Sequence, residues 1–266
     1  LPDRGGAWSG YFQDNHEAME RIAAGFGAEP DGIDEVTLVE WDHDAEDKIA
    51  AAALYAHSDL PDTQLQAIVS GMNTADKAEV IRAYVGDRQN RRHKPGRGME
   101  RSFYRFDVLS DFGSFRDLQR HRMMTVDWQR LGVKHGYSTP PAIEEVGWTQ
   151  RWDDAMGRMS DFHETVMNEH GPDVSQYVVP FGFKLRYSMQ FNAREAFHML
   201  ELRTSQQGHP DYRRVCQEMH KLIRDKAGHK ALADAMTYVD HGSYDLERLE
   251  AERRAEQKRE ASSSAD

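Results

Sequence analysis

The chain has 266 residues, of which 39% are hydrophobic, 10% aromatic and 30% charged, enough apolar mass to bury a core in one large domain or two small ones. Its longest apolar stretches, 49–56 and 177–183, fall far short of the ~20 residues of a membrane helix. No secretory leader pattern opens it, and a single cysteine, Cys216, provides neither an internal disulfide nor a zinc spacing. A membrane protein, a disulfide scaffold, a collagen and a zinc finger are excluded, and a reducing cytoplasm is the expected compartment. The first residue is Leu1 rather than Met, which reads as a trimmed or excised segment of something longer.

The net charge of −11 is unevenly spread: 14–48 holds twelve acids against two bases, whereas 88–122 holds ten bases against four acids. Such a chain repels polyanions overall and suits a compact anion such as a nucleotide phosphate better than nucleic acid. Arg91, Arg92, Lys94 and Arg97 serve equally well as solvating charges on a loop.

In chain order, residues 1–35 are rich in glycine and acids and read as a leader or linker with one short helix near 13–24. VTLVEW at 36–41 reads as a strand. Asp44 is placed to cap a helix through AEDKIAAAALYAH, and Pro61 precedes two amphipathic helices near 63–72 and 76–85. After a basic loop, 102–109 alternates as a strand, and Asp111 is placed to cap a helix containing FRDLQRHRMM. A loop at 132–141, a long helix from about 142 to 169 ending at Gly171-Pro172, and a strand within 174–191 follow. Helices are expected at 192–205, 211–227 and 230–240. The end of the chain, 241–266, reads as a fraying helix end and disordered tail. No internal repeat is seen. The fold class is α+β, a small, mainly antiparallel sheet packed with several long helices.

Two constellations carry chemistry. Arg116 and Arg120, four apart on the expected helix, would share a face. A guanidinium pair needs an anion, met either by a phosphate or by Asp111, Asp117 or Glu100. In NAREAFHMLELR, Asn192 and Arg203 lie eleven residues apart and within about 20° on a helical wheel, with Arg203 ending a largely apolar stripe. There it pairs with an acid or meets a planar heterocycle bearing carbonyl oxygens. Arg194, His198 and Glu201 form another stripe, for which a structural ion cluster is the simplest account. No HExxH, serine elbow, phosphate-cradling glycine loop or reactive cysteine motif occurs. Cys216 reads as a core thiol and no metal site is expected, so in an enzyme a cofactor would carry the hard step.

RHR at 120–122, followed about seventy residues later by NARExxHxxELR, resembles the flavin-dependent thymidylate synthases, and IAAAALYAHSD resembles an early helix of that family. The resemblance spans roughly 36–240, which is taken as the domain. It implies a homotetramer with shared active sites. It also implies FAD reduced by NADPH, and transfer of a methylene group from methylenetetrahydrofolate to the 5-position of a uracil nucleotide, dUMP or UMP, without an enzyme nucleophile. By the same resemblance Arg120, His121, Arg122, Asn192, Arg194 and His198 contact FAD. Arg203, the catalytic residue, binds the uracil edge and stabilises its ionised form, and Asp117, Arg120 and Arg130 help hold the substrate. The family motif continues differently here. Trp128 replaces its Glu, Arg130 its Ser and Gly132 its Arg, while Gln176 stands where a substrate-binding Arg precedes Pro180. Arg130, Lys184 or Arg186 are the candidates to restore the lost charge. A working methylase, a lapsed copy that pairs with an active one as a structural or regulatory partner, and a nucleic-acid module using 88–122 are the functions weighed. The acidic balance and lack of an aromatic-interleaved groove speak against the last.

Overall fold

The computed structural model describes residues 4–28 and 34–243, which fall in two units divided after Ile33. The tail expected over 241–266 therefore lies, from 244 onward, outside the described residues. In the first unit helix α1 spans Arg4–Ala24, longer than the short helix expected, and runs through Gly5, Gly6 and Gly10. Trp8 stacks on Phe12 at 5.3 Å, and both rings, with Tyr11, Met19 and Ile22, are exposed.

The second unit is built on a four-stranded antiparallel sheet in the order β1-β2-β4-β3. These are β1 (Val36–Trp41), β2 (Tyr104–Asp111), β3 (Met124–Trp128) and β4 (Lys184–Phe191). Between β1 and β2 come α2 (Ala45–Tyr55), α3 (Asp62–Ser70), α4 (Thr74–Val85) and a 3-10 turn at Arg97–Arg101. Asp44 stands at the N-cap of α2 but makes no capping bond. Asp42 braces the approach to the helix, accepting from Asp44 N–H at 3.2 Å and from Lys48 Nζ at 2.7 Å.

Alternation along β2 and β4 turns Tyr104, Phe106, Val108, Leu185, Tyr187, Met189 and Phe191 inward, all buried. Against this face lie α8 (Ala193–Arg203), through Ala196, Phe197, Met199 and Leu200, and α9 (Pro210–Asp225), through Val215, Cys216, Met219 and Ile223. Each large apolar side chain removed from water here contributes roughly 1.5–3 kcal/mol. Burial pushes the Cys216 thiol up to about 12, as a core thiol requires. The opposite face carries ion pairs instead, Arg105–Glu40 at 2.6 Å and Arg186–Asp107 at 3.2 Å.

Three expectations are corrected. The helix after Asp111, α5 (Phe112–Leu118), ends before RHR, because MTVDW pairs with β4 from Met124↔Phe191 to Trp128↔Tyr187 and the chain must reverse to reach it. The long helix is broken. After α6 (Pro141–Glu145) the chain turns at Gly147, φ +69°, and restarts as α7 (Thr149–Ser175), which kinks at Gly171, φ +83°, where the sequence puts its end. The last helix, α10 (Lys230–Ala235), is shorter than expected, and residues 236–242 strap across α8 and α9. Tyr238 Oη donates to Arg88 O, Asp240 N–H to Thr204 Oγ1, and Gln217 Nε2 to Asp240 O and Gly242 O.

Candidate active site

The site forms where the turn after α5 meets the C-terminal half of α8 and the start of α9. Asp111 fixes the first piece, its carboxylate accepting from Ser114 N–H at 2.8 Å and Ser114 Oγ at 2.7 Å. Residues 119–123 then swing out as a turn, so Arg116 and Arg120 reach their common cavity without sharing a helical face. Arg116 lies over the Phe181 ring at 4.8 Å, and Arg120 is 3.8 Å from Asp117.

Asn192 caps α8 by accepting from Glu195 N–H at 2.9 Å. On the following turns Glu195 accepts from His121 Nδ1–H at 2.7 Å and lies 3.4 Å from His198 Nδ1. Burial holds His198 below its ordinary value despite that carboxylate. Arg203 ends the helix. Its Nε donates to His121 Nε2 at 3.0 Å, its terminal nitrogens to the Asp117 carboxylate at 3.4 Å and to the Asp117 carbonyl, and its guanidinium lies 5.4 Å from the Tyr212 ring centre. Tyr212 comes so close because Gly208 allows a tight turn. A Cβ there would stand 2.8 Å from the Tyr212 ring and 2.9 Å from Arg203 O.

Two cavities open on this cluster. The larger, of about 770 Å³, is lined among others by Asp111, Ser114, Arg116, Asp117, Arg120, Trp152 and Tyr212. The smaller, of about 320 Å³, is lined by Arg120, His121, Arg122, Met123, Glu195, His198, Leu202 and Arg203. Arg120 belongs to both.

The structure thus gathers Asp117, Arg120, His121, Arg122, His198 and Arg203, and places three expected residues elsewhere. Asn192 is spent as the helix cap, about 16 Å up the helix from Arg203 at 1.5 Å per residue. Arg194 donates to Pro95 O and to Glu100 Oε1, both at 3.1 Å. Arg130 pairs with Asp173 at 3.1 Å while Leu131 N–H donates to Gln176 Oε1 at 3.1 Å, so the rewritten motif positions latch a loop to the end of α7. Glu201 makes a buried bidentate pair with Arg88, both contacts 2.6 Å, apart from Arg194 and His198. Sequence reasoning missed Glu195, although its i, i+3 spacing to His198 was visible. It missed Tyr212 and Trp152 because only the folded turns bring them in.

The donor set of the smaller cavity is suited to a flavin. Exposed guanidiniums of Arg120 and Arg122 and the half-exposed His198 match carbonyl oxygens or an anionic group, and Met123 and Leu202 offer apolar contact to a planar ring.

The fold is shared with solved structures. It matches ThyX, the flavin-dependent thymidylate synthase of Helicobacter pylori solved with FAD and dUMP, with a TM-score of 0.52 at 16% identity over 71% of this chain and 93% of that one. It also matches PolB, a UMP/dUMP methylase of Streptomyces cacaoi solved with 5-Br dUMP, with a TM-score of 0.56 at 16% identity over 75% and 94%. Residues 37–228 match the model of the thymidylate synthase complementing proteins, Thy1, and the chain belongs to that family, the flavin-dependent thymidylate synthases. Relatives include UPF0159 proteins of Chlamydia pneumoniae, 34% identical over 88% of this chain and 43% of the relative, and of Thermoplasma acidophilum, 30% identical over 83% and 44%. The chain spans less than half the length of these relatives.

Proposed function

We propose that this chain binds FAD in the smaller cavity and a uracil nucleotide, dUMP or UMP, in the larger, and transfers a one-carbon unit from methylenetetrahydrofolate to the 5-position of the base with NADPH as reductant. The observation that carries this reading is the position of Arg203. Its partner His121 lines the smaller cavity and its partners Asp117 and Tyr212 line the larger, so its charge stands between the two. When bound, FAD would supply redox and one-carbon transfer chemistry. Arg203 stabilises negative charge gathering on the uracil carbonyls as the ring becomes nucleophilic, a contribution that grows with the charge. Arg116 and Arg120 face the larger cavity as exposed guanidiniums, placed to receive the phosphate. Arg120, Arg122 and His198 hold the flavin. The expected contacts of Asn192 and Arg194 with FAD require them to leave their present partners. A homotetramer would supply from other copies the nucleotide contacts this chain's rewritten loop lacks.

Flavin absorbance of the purified protein, titrated with FAD and then with dUMP and with UMP, tests this. A bound flavin whose spectrum shifts with one nucleotide supports the reading and identifies the sugar; a folded protein that takes up no flavin overturns it.

The latch of Arg130 to Asp173 and of Leu131 to Gln176 favours a second reading, a lapsed copy that completes or regulates an active one. It predicts neither flavin uptake nor turnover in isolation.

A further inference from the structure

Glu195 is a charged side chain only 5% exposed, and nothing in the chemistry above uses it. An ionised carboxylate that deep is costly unless its partners require it. Those partners are both histidines of the site, His121 at 2.7 Å and His198 at 3.4 Å. On the far side of the His121 ring, Nε2 lies 3.0 Å from Arg203 Nε. Arginine has donors only, so Nε2 must present its lone pair and the ring proton must sit on Nδ1, facing Glu195.

We infer that Glu195 is a positioning residue: by holding the proton of His121 on Nδ1 it keeps Nε2 free to accept from Arg203, and so aims the guanidinium. The inference rests on the proposed role of Arg203. Without the carboxylate the proton is free to move to Nε2, where it would confront the Nε–H of Arg203. The guanidinium would then keep its contacts with Asp117 and the Tyr212 ring but lose the bond that fixes Nε.

A divalent cation is the competing use of these atoms. His121, Glu195 and His198 bring ligand atoms within 4.8 Å of one another, and they are of the kinds zinc accepts. The Arg203 charge beside His121 opposes a cation there, and both ring nitrogens of His121 are already engaged.

Nitrogen-15 histidine NMR on the full chain reads the tautomer directly, with the His121 signals assigned by their loss in His121→Gln. His121 is expected as Nδ1–H in the wild type and in Glu195→Gln, whose carboxamide oxygen still accepts, and to shift toward Nε2–H in Glu195→Ala. In the FAD-loaded protein, Glu195→Ala should lower kcat with dUMP or UMP about tenfold or more, the scale of one charge-assisted hydrogen bond. Because Glu195 also lines the flavin cavity and lies 3.4 Å from His198, the rate is compared at saturating FAD, and Glu195→Gln should restore most of it. An Nε2–H tautomer in the wild type, an unchanged tautomer in Glu195→Ala, equal losses in both variants, or zinc bound one per chain with loss of the Nδ1 proton would overturn the inference. Because the tautomer is read without turnover, an inactive wild type would count against the proposed function and leave the role of Glu195 to be decided by the spectrum.

Discussion

Arg203 and Arg88 are both guanidiniums tied to acids and aromatic rings, yet their surroundings give them different work. Arg88 is sealed, its side chain 4% exposed, bidentate to Glu201 and lying 5.3 Å from the Phe197 ring centre and 5.1 Å from that of Tyr238. The pair joins the loop after α4 to α8. Removing one partner leaves the other charge buried, so Glu201→Gln should cost about 3–5 kcal/mol in denaturant unfolding. A loss under 1 kcal/mol would mean water reaches Arg88. Arg203 lines a cavity and has donors to spare. Arg203→Ala should leave a folded protein that binds FAD but has lost about 10²- to 10³-fold in methyl transfer. Near-normal turnover would remove Arg203 from the catalytic role. Five of the ten bases at 88–122 are also answered by acids, in Arg88–Glu201, Arg97–Glu100, Arg101–Asp62, Arg105–Glu40 and Arg120–Asp117.

The turn between α8 and α9 decides how the site closes. At Gly208 even one methyl group meets the Arg203 backbone and the Tyr212 ring below 3.0 Å, and a main-chain carbonyl has no rotamer to move to. Gly208→Ala should therefore destabilise by about 1–3 kcal/mol in thermal or denaturant melts, and full stability would show that the turn is pliable. Losing the Asp111 cap in Asp111→Ala should cost about 1 kcal/mol and loosen the turn that carries Arg120 and His121. An unaltered melt would mean that pairing of β3 holds that turn by itself. Regular elements such as β1, β2 and α8 were legible because alternation and capping residues are written locally. The place of RHR was not. FRDLQRHRMM is a good helical pattern, and the strand that interrupts it gains its hydrogen bonds from β4, about sixty residues later. Likewise the polar positions of 192–203 were legible as a set, but their division between a helix cap, a tie to the 3-10 turn and the candidate site is decided by Pro95, Glu100 and His121, which the spacing does not contain.

Several histidines hold their protons more weakly than a free imidazole does. Burial is the leading cause that lowers His198, His220, His229 and His241, and His220 sits 3.0 Å from His241 where the 236–242 strap crosses α9. Each binds its proton more weakly folded than unfolded, so the stability it permits is complete above the unfolded histidine value near 6.5 and is lost as pH falls below it. Thermal midpoints should fall between pH 7.5 and pH 5.5, less so in His220→Gln. A flat profile would contradict the burial of these rings. The sheet order has a consequence for synthesis. Among the described residues no strand pairs with its neighbour through a short hairpin, and β3, whose paired edge belongs to β4, is made 56 residues ahead of it, counting from Trp128 to Lys184. At ~5–20 residues per second, a nascent MTVDW waits roughly three to eleven seconds for β4. The ribosome thus delivers the turn bearing Arg120 and His121 long before β4 is there to hold β3, and the cluster around Arg203 is among the last features of the new protein to take shape.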